Sequence, residues 1–152
     1  MTIKRRQRRR ARRDRGHLRL GDAGQALVEV AIALPILLGL LVGIFEFARA
    51  YNVQQVITNA AREGAREGVL PTATQADALT RANARLSDGN VSGATVTWSC
   101  TGSPCDTGDA VSIAISVPYT FRFIGPVVSL FAPGATDPGT INLSSTATMR
   151  RE

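Results

Sequence analysis

Two carboxylates, two thiols and one glycine–glutamate spacing carry what chemistry this chain offers. Glu29 and Glu46 bracket the uncharged run Val30–Phe45, VAIALPILLGLLVGIF. A carboxylate at the edge of so apolar a stretch must be paired or reach water, because an ionised group in hydrocarbon costs ~3 kcal/mol on insertion scales. Arg49 lies three residues beyond Glu46, one helical turn away. Cys100 and Cys105 bracket Thr-Gly-Ser-Pro. Outside the cytoplasm that spacing suits a disulfide at a hairpin tip, whereas a redox-active pair usually has two residues between its cysteines. Asp106 and Asp109 have no histidine or nucleophile beside them, and hairpin solvation accounts for them. His17, the only histidine, sits among arginines. One His and two Cys leave too few soft ligands for a zinc site of four protein ligands. No metal or other cofactor is therefore expected, and no constellation supports catalysis.

The elements that position these groups follow from composition. The 152 residues make about one domain, and 44% hydrophobic with 20% charged is not the composition of a disordered chain. The averages hide unlike segments. Residues 1–24 carry ten basic side chains against two acids, while residues 25–152 carry eight arginines against ten acids. The net charge of +6 thus belongs to a tail and not to a domain, so a basic nucleic-acid-binding fold is not indicated. Eleven of the sixteen residues Val30–Phe45 are Val, Ile, Leu or Phe, which favour membrane insertion by roughly 3–7 kcal/mol. A bilayer needs ~20 residues, and extension to Ala26 and Ala48 supplies the length. The arginine-crowded N-terminal flank places the tail in the cytoplasm and residues beyond about 50 outside, by the positive-inside rule. The basic tail can also hold to anionic lipid.

At the front of this stretch the chain reads Gly21-Asp22-Ala23-Gly24-Gln25-Ala26-Leu27-Val28-Glu29. Only Gly24 has a glutamate five residues on, and it stands where the leader charge stops and the apolar run starts. A glycine ending a basic leader, four residues, then a glutamate in an apolar helix resembles the pattern of type IV prepilins. In a bundle of such helices, the freed amine of one subunit can neutralise the glutamate of its neighbour. An alternative is an interfacial Glu29 that reaches headgroups.

The longer stretch from Gly24 to about Val69 resembles the TadE-like family of pseudopilins, which belong to tight-adherence (Flp) pilus systems. Its characteristic elements here are Gly24-Gln25-Ala26, Val28-Glu29, Leu34-Pro35, Glu46-Phe47-Ala48-Arg49 and Asn59-Ala60-Ala61-Arg62-Glu63-Gly64-Ala65-Arg66, with Thr146-Ala147-Thr148-Met149-Arg150 at the close. The resemblance implies cleavage between Gly24 and Gln25 by a prepilin peptidase. It also implies assembly with other pilins and pseudopilins at an inner-membrane platform, in which Glu29, Glu46 and Arg49 take part. Val30 follows the glutamate where major Flp pilins have a tyrosine, which points to a minor component. The chain is also too short for the large adhesion domain of some TadG-like relatives.

Beyond the apolar run the helical pattern persists. Ala50, Val53, Ile57, Ala60 and Gly64 share one face. Pro35 predicts a kink, and Gly68 and Pro71 end the helix. Ala60, Gly64 and Gly68 stand four apart and admit a close-packed neighbour, either the protein's own β-domain or another subunit. Glu63 is within reach of Arg66. Thr74 and Asp77 predict a capping box, followed by a helix with the stripe Ala76, Leu79, Ala82 and Leu86 and a stop at Ser87–Asn90. Val91–Trp98 reads as a strand. Val111–Phe123 alternates in period two, the best strand signal in the chain, with Pro118 demanding an edge or a bulge. Gly125–Gly139 reads as a long loop holding the apolar island Val127–Phe131, and Thr140–Met149 as a last strand with Ile141 and Leu143 apolar.

The expectation is an α+β protein: a basic leader at 1–24, a transmembrane and protruding helix at 25–69, and a small extracytoplasmic unit with a short helix and an antiparallel sheet at 70–152. It would work as a minor pseudopilin in pilus assembly. The rival is a membrane-anchored extracytoplasmic binding module that is never processed. The expected partners are the prepilin peptidase, other pilins, the assembly platform and the bilayer, with no nucleic acid.

Overall fold

The computed structural model describes residues 18–131, 134 and 139–151; most of the expected basic leader lies outside the described residues. The order is α1 (Leu18–Gly68), α2 (Gln75–Asp88), β1 (Thr95–Cys100), β2 (Ala110–Thr120), α3 (Ile124–Phe131) and β3 (Thr140–Arg150). This is the expected α+β class. Contacts group the chain into two units, Met1–Leu41 and Val42–Glu152, and α1 contributes to both.

In the first unit the described residues form the N-terminal part of α1, which starts at Leu18, earlier than Ala26, and runs through Pro35. No proline stands between Leu18 and Ala26 to stop it. From Leu27 to Leu41 its large apolar side chains are all at least half exposed. The apolar window has a mean hydropathy of 2.6 and none of it is buried within the protein. A surface of this kind is unstable in water, and a bilayer is the solvent that suits it. This is the one candidate membrane anchor among the described residues.

The second unit is built on β2. It is the central strand of an antiparallel sheet ordered β1-β2-β3, with Val96 opposite Ile115 and Val117 opposite Leu143. The period-two alternation of β2 turns Val111, Ile113, Ile115, Val117 and Tyr119 inward, and all five are buried. Ile113, Ile115 and Val117 form one core with Ile57, Ala60, Ala61 and Ala65 of α1 and with Ala78, Ala82 and Leu86 of α2. Pro118 falls just past the end of β1, whose first residue, Thr95, pairs with Ser116, so the missing N–H of Pro118 costs no bond to that strand.

The four-spaced small residues serve the protein's own packing. A Cβ on Gly64 would stand 2.9 Å from the Ala82 methyl and 3.1 Å from the Ala78 carbonyl, and one on Gly68 would run into the indole of Trp98. This close approach corrects the stripe expected on α2: Ala76 is exposed and Leu79 only half-buried, whereas Ala78, Ala82 and Leu86 face the core. Two alanines are what α1 can receive opposite its glycines. The same approach redirects Glu63, which pairs with Arg81 (3.1 Å) and Arg85 (3.7 Å) of α2 instead of Arg66. The Thr74–Asp77 capping box forms as expected, with both reciprocal bonds made. Hydrogen bonds to the backbone and hydroxyl of Thr74 hold the Asp77 carboxyl below its usual value of 3.8.

Two further differences have local causes. The first strand begins at Thr95 and not Val91, because the Val91 N–H bonds back to Leu86 at the end of α2 and Gly93 then turns with φ 72°. The start of the expected loop 125–139 is the helix α3, in which Pro126 occupies the first turn, where a missing N–H is harmless. Most of residues 132–139 lie outside the described residues.

Candidate functional site

Glu46 is the one charged side chain of the buried set among the described residues. It leads the inward face of α1, four residues before Ala50 and eleven before Ile57, both buried. The Tyr119 hydroxyl donates to Glu46 Oε2 and to its main-chain carbonyl, each at 3.3 Å. The main-chain N–H groups of Arg122 and Phe123 both donate to Oε1 at 3.2 Å, and Arg49 Nη1 lies 3.4 Å from the same oxygen. Two successive N–H groups aimed at one carboxylate oxygen form a small anion-holding nest. Charge-assisted bonds of this kind offset the desolvation that a buried carboxylate suffers.

From its place at the edge of the apolar run, Glu46 needs either water or a partner such as Arg49. Arg49 takes part, but water does not reach the side chain, and Tyr119, Arg122 and Phe123 supply the main contacts. The Arg49 side chain is 42% exposed, so its ion pair contributes little on its own. Burial raises the Tyr119 hydroxyl above its usual value of 10.0, and the nearby Glu46 charge adds to the shift. Tyr119 was legible in the sequence only as one inward position of β2. The roles of Arg122 and Phe123 are made by backbone atoms and leave no signature in residue type. This cluster holds the chain leaving β2 against α1.

Gly24, Gln25 and Glu29 lie together on the N-terminal part of α1, all exposed. A Cβ on Gly24 would meet nothing within 4 Å. Glycine is unfavourable within a helix by ~1 kcal/mol relative to alanine, and no packing contact of the described chain calls for it here. Glu29 has no hydrogen bond or ion pair among the described residues.

Cys100 and Cys105 are joined in a disulfide, with Cα atoms 5.9 Å apart, in the connection from β1 to β2. Asp109 organises that connection. Its carboxylate accepts from the Asp106 N–H (2.7 Å) and the Thr101 hydroxyl (3.2 Å), and a side chain at Gly102 would collide with it. Hairpin solvation is thus too weak a description of Asp109. Its carboxylate lies near the two sulfurs, but disulfide sulfurs are not the thiolates that bind metals.

In its N-terminal part α1 is long and apolar enough to cross a bilayer, a candidate membrane anchor, and in its C-terminal part it packs into a small α+β unit with a three-stranded antiparallel sheet. Residues 24–66 match the family model of TadE-like protein. The match begins at Gly24 and includes Glu29, Glu46, Arg49 and the small residues Ala60 and Gly64. It confirms the resemblance read from the same stretch and links the chain to a family of Tad pilus components. No curated protein and no solved structure matches the chain.

Proposed function

We propose that this protein is a minor pseudopilin of a tight-adherence (Flp) pilus, without enzymatic activity. In this reading a prepilin peptidase cuts between Gly24 and Gln25, the mature chain is held by one membrane-spanning helix, and the head lies outside the cytoplasm. The observation that carries it is the TadE-like match over residues 24–66, with Gly24 and Glu29 both exposed on α1. The ten basic residues of the leader support the orientation. An amine freed at Gln25 of one subunit would pair with Glu29 of the next, and subunits out of register would leave both charges unmatched.

The test is the intact mass of the protein from cells that express the whole pilus system. A mature chain starting at Gln25 is expected; an intact leader would overturn processing and leave an anchored binding module. Orientation has its own measurement. After reduction, a thiol reagent that cannot cross the membrane should reach Cys100 and Cys105 from outside.

A further inference from the structure

The two edges of the sheet differ. β1 is six residues long, ends at the Cys100–Cys105 disulfide and has α2 packed beside it. β3 is eleven residues long and pairs with β2 on one side only. All eleven pair in unbroken register, without a bulge, and neither proline nor charge occurs before Arg150 at the last position. Short length, bulges, prolines and charges are the devices that keep sheet edges from pairing, and Thr140–Met149 uses none of them.

The register fixes which main-chain groups face outward. The Arg151 N–H donates to the Asp109 carbonyl at 2.8 Å, one step beyond the Ala110–Arg150 pair. Such bonding alternates along an antiparallel ladder. The odd-numbered residues of β3 therefore bond to β2, while the N–H and C=O groups of Asn142, Ser144, Thr146 and Thr148 point away from it. Among the described residues one hydrogen bond reaches this outward row: Gln54 Nε2 of α1 donates to the Ser144 carbonyl at 3.0 Å. A side chain of α1 thus reaches past β3 to its outer side.

The helix layer leaves room at the same place. α1 and α2 share one core with β2. A packed helix takes up ~10 Å, about two strand spacings of ~4.8 Å, so two helices match about four strands, and this sheet has three. The inner row of β3 fits that count. Leu143, Ala147 and Met149 are half-buried and Ile141 is 38% exposed, whereas the inward residues of β2 are buried.

We propose that the free edge of β3 takes up one extended strand of another chain, as a fourth strand beneath α1. The edge recognises main-chain N–H and C=O groups, the mode of strand addition. The half-covered inner row calls for apolar side chains at alternate positions of the donated strand, and the uncharged edge offers a charged one no ion pair. Gln54 holds the place of an incoming N–H and is exchanged for it. A second copy of this fold is disfavoured, because it would bring two helices of its own into a gap one strand wide. The inference does not depend on processing at Gly24 or on the pilus reading.

The test uses the full chain in dodecyl maltoside and a fluorescein-labelled peptide with a lysine at each end. The peptide copies Ala110–Val117, AVSIAISV, whose alternation is that expected of the donated strand. Its anisotropy should rise and saturate. With peptide bound, amide exchange at Asn142, Ser144, Thr146 and Thr148 should slow about tenfold or more, while amides that face β2 stay slow throughout. Thr146→Pro removes an outward N–H and none that faces β2. It should keep the near-ultraviolet circular dichroism melt and weaken the peptide about tenfold or more. Gln54→Ala should bind the peptide severalfold more tightly. No saturable binding, or equal binding by Thr146→Pro, overturns the proposal. Outward amides that are slow in the protein alone at every concentration would show an edge covered within the chain. Slowing as the protein alone is concentrated would show a second copy there. Either result also overturns it. Should Thr146→Pro not fold, the exchange pattern and Gln54→Ala decide.

Discussion

Glu29 and Glu46 are the same side chain on the same helix, in opposite circumstances. Around Glu29, α1 turns its apolar residues outward, and the carboxylate has no partner among the described residues. Around Glu46 and beyond, α1 turns small residues inward, and the carboxylate is fully buried under four donors. The first region does not meet its requirements among the described residues. The second meets them within the fold. A charge in an apolar setting therefore reads as structural or as functional according to whether the fold supplies its donors, and residue type does not distinguish the two.

That comparison can be broken most directly at the two glutamates. Glu46→Ala should strip the acceptor from two main-chain N–H groups and a tyrosine hydroxyl. Unmatched buried donors cost ~1–3 kcal/mol each before relaxation, so a net loss of roughly 3 kcal/mol is expected. The melting temperature of the head, followed by near-ultraviolet circular dichroism in detergent, should fall by roughly 15 °C. Glu46→Gln, which keeps an oxygen for the N–H pair, should lose less than half of that. A small effect of Glu46→Ala would mean that the nest is decorative.

Gly68→Ala comes next. Its new methyl would meet the Trp98 ring, which must move, and overpacking of this kind costs ~1–3 kcal/mol. The same melt should show it, together with a change in Trp98 fluorescence. An unaltered protein would mean that the small residues of α1 are free for contacts with other subunits.

The capping box of α2 should matter less, and its effect should depend on pH. The carboxyl of Asp77 titrates below its unfolded value of 3.8, so its contribution is fully present above that pH and is lost as pH falls through the lower folded value. Asp77→Ala, which removes the acceptor of both Thr74 bonds, should therefore lower the melting temperature at neutral pH, and the gap to wild type should narrow in acid below 3.8. A gap independent of pH would show that the charge of Asp77 contributes nothing to the cap.

The smallest effect on folding belongs to Glu29. Glu29→Ala should leave the melt unchanged within about 0.5 kcal/mol, as expected for an exposed position, while co-purification with the other pilus components and the number of pili per cell both fall. Wild-type piliation in that variant would remove the register role and favour the unprocessed anchored module. Loss of head stability would show that Glu29 has a partner within the chain.

Much of this arrangement was legible in the residues. The apolar run, the leader charge, the Gly24–Glu29 spacing, the period of β2, the capping box and the close cysteines each follow from local chemistry, because each is set by neighbours a few residues apart. The errors share a different origin. A helix brings Glu63 within reach of Arg66, yet α2 supplies Arg81 and Arg85 as its ion-pair partners. Spacing alone puts Ala76 on the inner stripe, yet the glycines of α1 select Ala78 and Ala82. Three glycines and three prolines surround Val127–Phe131 and make it look like an island in a loop, yet it belongs to α3.

What the residue order determined by itself is thus the candidate anchor, the candidate processing site and the alternation that makes a sheet: properties of short windows and of solvent preference. The tertiary structure alone decided what Glu46 is for. Apart from Arg49, its partners lie 73 to 77 positions away, and two of them are backbone N–H groups that every residue except proline possesses, so no side-chain pattern could have announced them. Only the packing of β2 across α1 brings the Tyr119 hydroxyl and the chain after it onto that carboxylate, and only there does burial turn an interfacial charge into the pin that holds the head together.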